Sequence, residues 1–230
     1  RVSAVAGEPG NTNVCYVGAA SGGVWKSVDG GFNWRPTFDS EPAQSIGSIA
    51  VAPSDPNIVW VGTGEAFIRS NVSIGNGVYK SIDAGRTWTH MGLEQSGRVG
   101  RIVIDPRSPD VVLAAALGHG YGPQQERGVY RTADGGKTWD RVLFVDENTG
   151  AADLAMDPNN PRVVFAGMWT IDIKTWGRTS GGLGSGVFVS RDGGLTWRRL
   201  SRGLPPPPLG KIAVSVAQSN SNRVYALIET

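Results

Sequence analysis

Thr132-Ala133-Asp134-Gly135-Gly136-Lys137-Thr138-Trp139 decides the fold, because the chain carries it in four versions. The others are Ser27-Val28-Asp29-Gly30-Gly31-Phe32-Asn33-Trp34, Ser81-Ile82-Asp83-Ala84-Gly85-Arg86-Thr87-Trp88 and Ser190-Arg191-Asp192-Gly193-Gly194-Leu195-Thr196-Trp197. The aspartates lie 54, 51 and 58 residues apart. A fixed period of roughly 20–50 residues, or slightly more, marks an array of similar units. Asp-Gly-Gly is hairpin chemistry: glycine accepts positive φ without a Cβ clash, and a carboxylate accepts hydrogen bonds from the turn's own N–H groups. The tryptophan adds a large apolar body whose N–H needs a partner when buried. Four equivalent aspartates on four separate units do not converge on one point, as catalysis or metal binding requires. Asp29, Asp83, Asp134 and Asp192 are therefore read as turn locks, and Trp34, Trp88, Trp139 and Trp197 as wedges between units.

Working outward, each box follows a short apolar stretch: Gly23-Val24-Trp25, Gly77-Val78-Tyr79, Gly128-Val129-Tyr130 and Gly186-Val187-Phe188. Two further apolar runs precede it, for example Ile102-Val103-Ile104 and Val111-Val112-Leu113-Ala114, separated by a Pro/Asp/Asn turn. Near-continuous apolar runs predict strands covered on both faces. No long helical periodicity is present. Four antiparallel strands per unit, repeated, describe an all-β propeller blade. The chain is expected to hold four blades and about half of a fifth, at 1–40, 41–95, 96–146, 147–204 and 205–230. It reads as part of a larger propeller, and the open edges predict self-association.

These residues resemble the Asp-box, or bacterial neuraminidase repeat, family. The pattern Ile-Ala-Val-Ala-Pro-Ser-Asp-Pro-Asn followed by Gly-Val-Tyr-Lys-Ser-x-Asp-x-Gly-x-Thr-Trp is similar to bacterial propellers related to sortilin-type receptor domains, xyloglucan-cleaving glycoside hydrolases and a photosystem II assembly propeller. The resemblance is specific for fold and poorly specific for activity. It implies a secreted, periplasmic or cell-surface bacterial protein. Xyloglucan-cleaving relatives carry an Asp where this chain has Ala20, in Ala19-Ala20-Ser21-Gly22-Gly23. The Phe/Tyr-Arg-Ile-Pro sequence of sialidases does not occur; the chain opens Arg1-Val2-Ser3-Ala4. Both departures count against a hydrolase.

Composition narrows the field. A formal net charge of +2 without basic blocks lacks the electrostatic footprint of a nucleic-acid binder. No apolar run reaches the roughly 18–20 residues of a membrane span. Cys15 is the single cysteine, which excludes an intrachain disulfide and reads as a small buried hydrophobe. His119 and His90 lack ligand-spaced companions, and no metal or cofactor is expected.

Loops between the second and third strands of each unit vary in length and open on one face, where binding residues concentrate. They hold aromatics beside charged groups. Tyr121, Trp169 and Trp176 are candidates for stacking on sugars or anchoring a protein, with Arg69, Gln124 and Arg178 as polar contacts. A glycosidase needs two carboxylates roughly 5–10 Å apart; Glu65 with Glu126 or Asp172 is the pairing these loops offer. The leading expectation is a non-catalytic scaffold for a protein, peptide or carbohydrate. The alternative is a glycoside hydrolase, xyloglucanase- or sialidase-like, whose remaining catalytic residues lie outside this chain.

Overall fold

The computed structural model describes residues 1–68 and 73–230. Arg69 falls outside the described residues. The fold is all-β, built from antiparallel sheets in sequence order. The first sheet is β1 (Val2–Glu8), β2 (Asn11–Ala19), β3 (Val24–Ser27) and β4 (Arg35–Pro36). The second is β5 (Ile46–Ala52), β6 (Asp55–Thr63), β7 (Val78–Ser81) and β8 (Thr89–His90). The third is β9 (Val99–Ile104), β10 (Val112–Ala116), β11 (Gly128–Thr132) and β12 (Asp140–Leu143). The fourth is β13 (Thr149–Met156), β14 (Val164–Lys174), β16 (Gly186–Ser190) and β17 (Arg198–Arg199), with β15 (Gly177–Ser180) added to β14. β18 (Ile212–Val216) and β19 (Val224–Ile228) form a fifth, two-stranded sheet. These are propeller blades, and the chain forms part of a β-propeller.

The leading strands β1, β5, β9, β13 and β18 neighbour one another in turn. They approach too closely for side chains at some points: a Cβ on Gly47 would stand 2.4 Å from the carbonyl oxygens of both Gly64 and Val99. Behind them the core is divided into wedges, each shared by two sheets. Tyr16 and Phe38 meet Val61 and Tyr79 in one wedge. Trp60 and Val78 meet Ile102 and Val112 in the next. Leu113 and Val129 meet Met168 and Phe188 in a third. This interleaving explains why the first two strands of each unit read as continuous apolar runs.

The boxes fold as turn locks, with one correction. The buried centre of each lock is the hydroxyl, not the aspartate. Thr132 is 1% exposed, whereas Asp134 is exposed. The Thr132 hydroxyl donates to Asp134 Oδ1 at 2.8 Å and accepts the Gly136 N–H at 3.0 Å. Asp134 then gathers the Thr138 N–H at 3.0 Å and its hydroxyl at 2.7 Å. Ser27, Ser81 and Ser190 are equally buried and bonded in the same way. These donors hold the carboxyls low. In Asp29 the Asn33 N–H and side-chain amide bring the pKa to about 2. In Asp83 burial pulls the pKa up, but the Thr87 hydroxyl and N–H outweigh it and leave it at about 2. The tryptophans divide: Trp88 and Trp139 donate to the preceding unit, at Thr37 O and Met91 O, both 2.7 Å. Trp34 and Trp197 donate to their own turns, at Gly31 O and Gly194 O.

The stretch Met168–Ser185, one of the variable connections expected from sequence to be a loop, is largely a hairpin. β14 runs on to Lys174 and pairs with β15 from Ile171↔Ser180 to Lys174↔Gly177. Thr170, Ile171 and Ile173 are β-branched, and Trp169 and Ile171 are buried while Thr170, Asp172 and Ile173 are half-buried. Strand propensity and a half-buried face account for the extension.

Candidate functional site

The face opposite the boxes collects the connections between second and third strands, together with the entries to the leading strands. Its floor is apolar: Ala66, Leu117, Ala152, Trp169 and Ile171 from four sequence regions form one buried cluster. Trp169 is 3% exposed and donates its ring N–H to Ser180 Oγ at 3.0 Å. It is a floor residue rather than an open stacking platform. Trp176 is the reverse, 84% exposed at the tip of the β14–β15 hairpin. Tyr121 is exposed beside that hairpin, in an isolated bridge with Ile173. Gln124 turns inward, and its carbonyl oxygen accepts the His119 N–H at 2.6 Å.

Two of the three candidate carboxylates pair with different cations. Glu65 is 1% exposed, with Oε1 against the Arg1 guanidinium. Asp172 pairs with Lys174 at 3.2 Å. Glu126 is half-buried, and its backbone oxygen accepts the Tyr130 hydroxyl. Among the described residues no group of three His, Cys, Asp or Glu side chains is placed to hold a metal ion.

Sequence reading passed over four participants. Phe67, Lys211 and Glu229, with Trp169, Arg178 and Ser180, line a cavity of about 360 Å³ at the centre of this face. Lys211 donates to Ala66 O at 3.2 Å and lies over the rings of Phe67 and Trp169, 4.7 and 5.3 Å from their centroids. Burial pushes its ammonium pKa down. Arg178 donates to Ile68 O at 3.0 Å. Glu229 Oε2 accepts the Lys211 N–H at 2.9 Å and the Ser180 hydroxyl at 2.5 Å, which hold its pKa low. The fourth is Arg127, buried, which donates to Asn148 O at 2.6 Å and Gly122 O at 3.2 Å and so braces the connection between β10 and β11. The signal for Lys211 was present: it stands just before a leading strand, and those entries open on the same face as the variable loops.

The family model for the BNR/Asp-box repeat matches residues 188–199, the fourth box and its flanks. With the three further boxes in the sequence, this match makes the chain similar to Asp-box repeat β-propellers. The probable oligoxyloglucan-reducing end-specific xyloglucanase of Neosartorya fischeri is 32% identical over 150 residues, covering 63% of this propeller chain and 17% of the fungal protein. A xyloglucanase of Paenibacillus sp is 26% identical over 215 residues, covering 84% of the chain and 20% of its own length. The chain thus spans about a fifth of the length of these curated relatives. Among solved structures an ancestral GH74 enzyme superposes with a TM-score of 0.71 over 99% of the chain and 29% of its own, at 23% identity. At that identity the likeness is one of fold. In this Asp-box propeller the Ala20 position, where the resemblance implied an acid, is buried.

Proposed function

We propose that this chain is the glycan-contacting arc of a glycoside-hydrolase propeller of the xyloglucanase kind, working outside the cytoplasm of a bacterium. The observation that carries this reading is the sequence likeness to xyloglucanases, which extends over 84% of the chain in the Paenibacillus protein. The loop face supports it with an exposed ring, Phe67, above a cavity rimmed by hydrogen-bonding groups. In this reading the chain supplies binding, and bond cleavage falls to carboxylates outside it. Ala20 removes the acid at the matching position, and Glu65 and Asp172 each pair with a different cation. The test is retention on xyloglucan by affinity electrophoresis, with depolymerisation assayed in parallel on wild type and Glu65→Gln. Retention lost in Phe67→Ala supports the reading, and a wild type that ignores the polysaccharide overturns it. An equal rate for Glu65→Gln removes Glu65 from the chemistry.

One observation favours a second reading, a protein or peptide dock: the exposure of Trp176 beside Tyr121. Exposed Trp and Tyr are frequent anchors of interfaces. Trp176→Ala with unchanged polysaccharide retention and lost binding to a purified partner supports that reading. Tyr225 and Leu227 on β19 are also exposed, and we propose that this sheet face packs against a further sheet or a second copy, to be read by light scattering.

A further inference from the structure

We propose that the central cavity of the loop face selects a carboxylate-bearing sugar, a hexuronic acid within a polysaccharide, over a neutral one. The inference rests on the glycan-contacting part of the reading above, not on xyloglucan as the glycan, and specifies the chemical class of the sugar residue bound in this cavity.

Charge and geometry carry it. The cavity has one cation more than it has carboxylates: Arg1, Arg178 and Lys211 against Glu65 and Glu229. Glu65 sits against Arg1. Glu229 directs Oε2 to the Ser180 hydroxyl and the Lys211 N–H, which fixes its position. Among the described residues neither Arg178 nor Lys211 forms an ion pair. Each makes one hydrogen bond to a carbonyl, Ile68 O and Ala66 O respectively. A guanidinium has five N–H donors and an ammonium three, so among the described residues both keep donors without a hydrogen-bonded partner. An unpaired cation in a partly desolvated cavity favours an anion strongly.

The walls favour a sugar over an acidic peptide. Phe67 lines the cavity and is 56% exposed, an aromatic ring of the kind that packs on the C–H face of a pyranose. The chain of bonds from the Trp169 ring N–H to Ser180 and from Ser180 to Glu229 holds an acceptor at the same rim. A carboxylate oxygen there takes sugar hydroxyls as donors, which a peptide of Asp and Glu side chains does not offer. A cavity of about 360 Å³ lies within the roughly 300–1,000 Å³ of small-ligand sites.

The experiment titrates the protein by calorimetry with the α-1,4-linked trimer of galacturonic acid, with its methyl ester, with a neutral xylogluco-oligosaccharide and with triglutamate. The acid trimer is expected to bind about tenfold more tightly than its ester, as one good charge-assisted contact allows. The advantage should shrink as salt rises, since the rim is open to solvent. Arg178→Gln, an exposed position, should abolish the difference, as should Lys211→Gln if its melt stays at the wild-type value. Equal affinity for acid and ester, or a preference untouched by Arg178→Gln, overturns the inference. If the neutral oligosaccharide still binds, that failure leaves the glycan reading standing; if no sugar binds, both fall. Triglutamate binding as tightly as the acid trimer also overturns it and assigns the cavity to acidic peptides.

Discussion

The box face and the loop face of this propeller satisfy their polar groups in opposite ways. In each box the hydroxyl and carboxylate of the lock find their partners within four residues, as Thr132, Asp134, Gly136 and Thr138 do. On the loop face Arg178 binds Ile68 and Lys211 binds Ala66, 110 and 145 positions away. The local locks recur because the sequence recurs. The long-range bonds are single events, made by loops that resemble one another in neither length nor composition. The difference separates two tasks: the repeated face fixes the hairpins, and the unrepeated face gathers unlike groups at one place.

If that division holds, damage to a box should lower stability and leave ligand binding intact. The largest effect is expected for Trp139→Ala. It removes the edge-to-face contact with Trp60, at 5.9 Å between centroids, and the bond to Met91 O. Such a deletion costs about 3–5 kcal/mol, to be read in a denaturant melt, while affinity on the loop face stays at its wild-type value below the transition. Lost affinity at full folding would break the comparison.

Next comes the hydroxyl at the centre of the lock. Thr132→Val keeps the shape and strands the Gly136 N–H, itself buried. A buried donor left without a partner costs about 1–3 kcal/mol. Asp134→Asn, at an exposed position, should cost less. The reverse ranking in paired thermal melts would restore the aspartate as the centre.

The box carboxylates also set an acid limit. Asp29 and Asp83 have folded pKa values of about 2, against about 3.9 for an unfolded Asp. A depressed carboxyl contributes stability above the unfolded value and loses it as pH falls through the folded one. Melting temperature should therefore be insensitive to these groups above about pH 4 and fall between about pH 4 and 2. Asp29→Asn with Asp83→Asn should flatten that fall; an unchanged acid slope would show that the locks do not titrate as described.

The smallest effect is a gain. The second box has Ala84 at φ 59°, where the other three boxes have glycine. Ala84→Gly relieves a left-handed alanine at the cost of a freer unfolded chain, for a net stabilisation under about 1 kcal/mol. A lower melting temperature would mean that the turn is unstrained.

How much of this was legible follows from the same division. The locks and the strand order are local or periodic, so spacing and turn chemistry in the four boxes disclosed them, whereas of the four tryptophans only Trp88 and Trp139 bond to the preceding unit. The exposure of Asp134 was not legible, because turn chemistry gives hydrogen bonds but not depth. Trp169 and Trp176 look alike in sequence, seven positions apart in one segment, yet one is floor and the other a hairpin tip. Only the continuation of β14 to Lys174 separates them. Lys211 and Glu229 have unremarkable neighbours, and their pairing depends on the antiparallel register of β18 and β19, which brings the two ends of that hairpin together.

The short segment Glu65–Ile68 meets Arg1 before the first sheet, Arg178 in the fourth and Lys211 at the fifth. A row of blades that touch only their neighbours unfolds piecemeal, each boundary yielding on its own. A strap joining non-adjacent blades turns the row into a circuit, in which opening one junction strains the rest. Unfolding should then be a single cooperative event, and cutting the strap at Lys211 should let the fifth sheet fray first.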